Sequence, residues 1–127
     1  MKTDPRKLKR AQLLERIRTV ERSRSALAAS EAEATRRRLF GVAERTRSLA
    51  RHYAQQDDAM TGTDLRGAKA MQDQLQQLCA LSERHAEEAE QRSDATMDEL
   101  ASAERRMRRA EEDRRSLARA IVADLER

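Results

Sequence analysis

Apolar residues recur at intervals of three and four along almost the whole chain, with charged residues filling the spaces between them. The pattern reads Leu13, Ile17, Val20 and Leu27. After a one-residue slip of phase it continues as Ala28, Ala32, Thr35, Leu39, Val42, Thr46, Leu49 and Tyr53. This spacing is the heptad of a helix that faces another helix. A second run reads Leu75, Cys79, Ser82, Ala86, Ala89, Ser93, Thr96, Leu100, Ala103, Met107, Ala110, Arg114, Leu117 and Ile121. Between the runs the pattern breaks across residues 57–64, where Gly62 supplies a permissive backbone and Thr61 with Asp64 resembles a capping box. At the start, Asp4 can cap a first helical turn that opens on Pro5, where a missing N–H costs nothing. The expected fold is all-α, a single long antiparallel two-helix coiled-coil hairpin. Helix one covers about 5–56, the turn about 57–63 and helix two about 64–126.

Composition separates this reading from disorder and from a globule. Charged residues make up 39% and aromatics 2% (Phe40 and Tyr53), so bulky residues for a compact centre are scarce. A narrow seam between two helices needs few of them, and two sustained heptad runs distinguish the chain from a disordered one. No stretch approaches an apolar membrane span and no apolar segment follows Met1, so the chain is expected in the cytoplasm. The single cysteine, Cys79, falls on the seam as a small filler.

Charge gives the pairing direction. Through Tyr53 the chain has 15 basic and 6 acidic residues, and from Ala54 onward 12 basic and 17 acidic. A turn near residues 60–61 makes the numbers of opposed residues sum to about 121. That register sets Arg36, Arg37 and Arg38 beside Glu83, Glu87 and Glu88. It also sets Lys9 and Arg10 beside Glu111, Glu112 and Asp113, and Arg22 near Asp98 and Glu99. Such pairs contribute little energy each but penalise slipped pairings.

The same register opposes Leu8 to about Asp113 and leaves residues 114–127 beyond the start of helix one. Leu117, Ile121, Val122 and Leu125 then form an amphipathic stripe suited to a groove or pore, unless it frays or packs back on residues 1–8. A second apolar surplus lies toward the turn. There Met71, Leu78 and Leu81 flank Leu75 and Cys79, and Leu49, Tyr53, Met60 and Leu65 approach them. It is either a docking patch or a broader core that locks the turn.

No catalytic constellation, phosphate loop or cofactor site is legible, and His52 and His85 fall far apart in the expected register. Neither a cofactor nor a small-molecule substrate is expected. The clusters Arg36-Arg37-Arg38, Arg105-Arg106 and Arg108-Arg109 raise nucleic acid as a partner. Interleaved acids, missing aromatics and a net charge of +4 favour internal ion pairing instead. The remaining function class is protein binding, by a scaffold, a homodimer or a dedicated stalk.

The chain resembles the flagellar export protein FliJ family and its injectisome relatives. The resemblance is carried by Leu13-Leu14-Glu15-Arg16-Ile17-Arg18, Gly62-Thr63-Asp64-Leu65-Arg66, Met71 through Leu78, Arg92 through Leu100, and Ala103 to Arg105-Arg106. It covers nearly the whole chain, with Met71 standing where the family often has an aromatic. It implies a stalk whose paired helix ends enter the export ATPase ring and whose patch nearer the turn contacts the membrane export gate. Export chaperones are further partners it implies, and the membrane is reached only through partners. The ring-entering residues would be Leu8, Leu13, Leu117, Ile121 and Leu125. The gate patch would be Leu49, Tyr53, Met71, Leu75 and Leu78.

Overall fold

The computed structural model describes residues 2–55 and 62–127, with Thr63 by its backbone alone. They form two helices, α1 (Pro5–Gln55) and α2 (Gly62–Leu125), packed against each other as an all-α hairpin. The first helix starts where the sequence places it. The Arg6 N–H donates to the Asp4 carboxylate at 3.0 Å, and the Lys7 N–H to the Asp4 carbonyl at 3.0 Å, so Asp4 satisfies N–H groups that have no partner within the helix. Gly62, expected in the turn, is already helical. Met60, Thr61 and the rest of the expected turn through 57–61, with Gln56 at the expected end of helix one, lie outside the described residues.

Two compact units divide the chain, each a pair of antiparallel segments: residues 1–30 with 95–127, and residues 31–94. In both, the buried seam is made of small and polar side chains. Ala29, Ala103 and Ala110 are buried in the first unit. Ala32, Ala43, Thr46, Ser82, Ala89 and Ser93 are buried in the second, with Leu75 as its large member. Small side chains let two backbones approach closely but remove little apolar area from water, so close packing must supply much of the cohesion. Thr46 satisfies its buried hydroxyl by donating to the Val42 carbonyl at 2.8 Å.

The α2 seam runs through every position the heptad predicts, each buried or half-buried. The α1 seam does not. Leu13, Ile17, Val20 and Leu27, expected to face α2, are 57%, 54%, 50% and 62% exposed. The inner face of α1 carries Leu8, Ala11, Glu15, Arg18, Ser25, Ala29, Ala32, Arg36, Leu39, Ala43, Thr46 and Ala50, all buried or half-buried. With Arg22 included, these keep the 4-3 alternation without any slip. Ala29, Arg36, Ala43 and Ala50 replace the expected Ala28, Thr35, Val42 and Leu49. A heptad stripe shows that a helix faces another helix, but not which of its two stripes meets the internal partner. Here the bulkier stripe lies outside.

The register also differs. In the first unit the Thr3 N–H donates to Asp124 Oδ2 at 2.6 Å, Arg114 Nε meets Glu15 at 2.8 Å, and Arg22 reaches Glu104 at 4.0 Å. Their numbers sum to 127, 129 and 126. In the second unit Ser93 with Glu33 sums to 126 and Arg47 with Glu83 to 130. Opposed residues thus total about one heptad more than the expected 121, a slip that returns every seam position to the seam. The expected pairings change accordingly. Arg36 and Arg37 bind Glu33 on their own helix, Glu83 pairs with Arg47, and Arg22 with Glu104. Glu111 binds Arg115, four residues along α2.

Candidate interaction surfaces

The corrected register removes the expected overhang. Residues 114–124 lie against residues 3–15, tied by the Thr3–Asp124 hydrogen bond and the Arg114–Glu15 pair. Leu8, Leu117 and Ile121 are half-buried there, and Leu117 shares a groove with Arg10, Ala11 and Leu14. What remains outward is Val122 and above all Leu125, which is 81% exposed. Leu13, assigned with these residues, sits two positions from both Ala11 and Glu15. That is roughly 160–200° around the helix from the seam, on another face.

Near the end of α1 the apolar surplus is present, with one change. Leu49, Tyr53, Met71 and Leu78 are exposed, as are Leu65 and Leu81. Leu75 is only 6% exposed and belongs to the seam, so it cannot form part of a contact surface. Leu49, Leu78 and Leu81 each precede a seam position by one residue, and Met71 precedes the half-buried Gln72, which continues the seam three residues before Leu75. On antiparallel helices such positions turn to the same flank, so these four share one side of the unit. Tyr53 meets the neighbouring His52 ring edge-on at 6.1 Å.

Two polar clusters went unrecognised in the sequence. The first is the Glu15–Arg114 pair, in which each helix places a charge at a seam position. Hydrogen bonding to Glu15 raises the Arg114 value above its ordinary one. The second gathers on Glu33, whose carboxylate accepts from Arg36 Nε and Nη2 at 2.8 and 2.7 Å, Arg37 Nε at 3.1 Å and the Ser93 hydroxyl at 3.1 Å. The Arg36 hydrogen bond is the main cause holding the Glu33 carboxyl down at about 2, against a smaller opposing effect of desolvation. Seam spacing alone flags Glu15 once the unslipped phase is chosen, and no other signal marks it. Both clusters join the two helices.

Among the described residues no group of three His, Cys, Asp or Glu side chains is placed to hold a metal ion. No described helix is long and apolar enough to cross a membrane. Cys79 is half-buried on the α2 seam. Compared with protein-family models, with curated proteins and with solved structures, the chain matches none.

Proposed function

We propose that the chain is a non-catalytic coiled-coil stalk of a flagellar or other type III protein export apparatus. It acts at the cytoplasmic side of the membrane by linking the export ATPase ring to the export gate, with export chaperones as further partners. The observation that carries this reading is the exposed apolar flank of Leu49, Met71, Leu78 and Leu81, with Tyr53 nearby. Side chains of this size left in water on a two-helix unit, while the buried seam beside them is mostly small residues with Leu75 as its one large member, favour a surface kept for a partner. In this reading that flank contacts the gate. Val122 and Leu125, with the half-buried Leu8, Leu117 and Ile121, form the contact with the ATPase ring.

The gate contact is tested by titrating the purified chain against the cytoplasmic domain of the export gate from the same genome. Leu49→Asp with Leu78→Asp should weaken binding at least tenfold and leave helix content intact, since both residues are exposed. Unchanged binding by that variant would remove the gate assignment.

A further inference from the structure

The outer face of α1 in the first unit carries a stripe the hairpin does not use. Leu13, Ile17, Val20 and Leu27 stand at intervals of four, three and seven, a heptad with Arg24 in its one missing place, and all four are at least half exposed. α1 is thus a helix with two seams. The inner one, of alanine, serine and paired charges, is closed by α2. The outer one, of leucine, isoleucine and valine, faces solvent.

The surroundings of this stripe are basic. Arg6, Lys9, Arg10, Arg16 and Arg24 lie on or beside it and are exposed, and none forms an ion pair with a described residue. Residues 1–30 contain nine basic and three acidic residues. Of those acids, Glu15 is bound to Arg114 and Glu21 to Arg18. We infer that the outer stripe of α1 is a docking seam for an amphipathic helix of another protein, one with apolar residues at heptad spacing and acidic flanks.

Width and charge select this occupant. A period of 3.5 residues gives a narrow line that matches a second helix, whereas a helix lying in a bilayer surface presents a broad apolar face. A second copy of the chain laid on the same stripe would bring arginine and lysine against arginine and lysine. An acidic helix instead converts those flanks into interhelical pairs, which set partner choice and orientation. The stripe is a different face from the surfaces assigned to the gate and the ATPase, so this inference stands or fails apart from that function.

The probe is a 28-residue designed peptide with Leu and Ile at the two core heptad positions and Glu at the flanking ones, with its Lys-flanked twin as control. Like charges keep each peptide monomeric alone, so fluorescence anisotropy on adding the full chain reads docking. The Glu peptide should bind at least tenfold tighter than the Lys peptide, and less tightly as salt rises. Ile17→Ser with Leu27→Ser should weaken that binding at least tenfold while circular dichroism and melting stay unchanged. No binding, equal binding of both peptides, or full binding by the variant would overturn the inference. Two further outcomes would also overturn it. One is self-association in sedimentation that the same variant abolishes, and the other is capture by phosphatidylglycerol vesicles in place of the Glu peptide.

Discussion

Arg114 Nε donates to Glu15 at 2.8 Å across the two helices of the first unit, from a seam position on α2 to a seam position on α1. Both side chains are about 30% exposed, shielded enough for neither to be an ordinary surface charge. Removing one partner leaves the other half-buried and unpaired. Glu15→Ala and Arg114→Ala should each lower the urea midpoint. The double substitution should cost less than the sum of the two, and high salt should shrink that coupling. Strict additivity in the double-mutant cycle would contradict the pairing.

Acid should act through Glu33. Its carboxyl titrates at about 2 in the folded chain, against an ordinary value of 4.5. A depressed folded value contributes stability that is fully present above the unfolded value and is lost as pH falls from about 4.5 toward 2. Stability measured by urea unfolding should therefore decline across that window, and Glu33→Gln should flatten the decline. A carbon-detected titration of the Glu33 carboxyl with a midpoint near 4.5 would refute the arrangement with Arg36, Arg37 and Ser93.

The two phases of α1 predict opposite mutational patterns. Ala103 is 4% exposed in the seam, so Ala103→Leu should overpack it and cost about 1–3 kcal/mol. Leu27→Ala, on the outer stripe, should change stability by no more than about 0.5 kcal/mol. Were Leu27 a seam residue, truncating it would cost about 2–5 kcal/mol. Thermal or urea unfolding of the two variants decides between them.

Much of the fold was legible because the heptad carries two facts at once: the presence of a helix and its need for a helical neighbour. The α2 seam was readable from Leu75 to Ile121 because it keeps a single phase over that whole length. On α1 two stripes compete, and the larger residues Leu13, Ile17, Val20 and Leu27 masked an inner line that includes Glu15, Arg18 and Arg22. The register was unreadable for a related reason, since a slip of one heptad restores the same seam and only particular contacts such as Thr3–Asp124 decide it. The patch residues Leu49, Tyr53, Met71 and Leu78 were placed correctly on the surface. Leu75 was read both as a seam position and as part of the patch, because a residue flanked by apolar neighbours looks the same in sequence in either role; its 6% exposure assigns it to the seam.

Gly41 interrupts α1 without evident structural need. Its φ is not positive, and a methyl group added there would meet no atom within 4 Å. Gly41→Ala should therefore stabilise the helix by about 0.5–1 kcal/mol, read as a higher urea midpoint. Destabilisation would mean that the position is tighter than the structure shows.

The proposed role as an export stalk rests on apolar groups outside the seam. It is tested most directly by calorimetric titration of the chain into the export ATPase encoded in the same genome. Wild type should bind. Val122→Asp with Leu125→Asp should lose that binding at least tenfold with unchanged melting, and Ile17→Ser with Leu27→Ser should retain it. Failure of the wild-type chain to bind the ATPase, or full binding by the Val122→Asp, Leu125→Asp variant, would contradict the account.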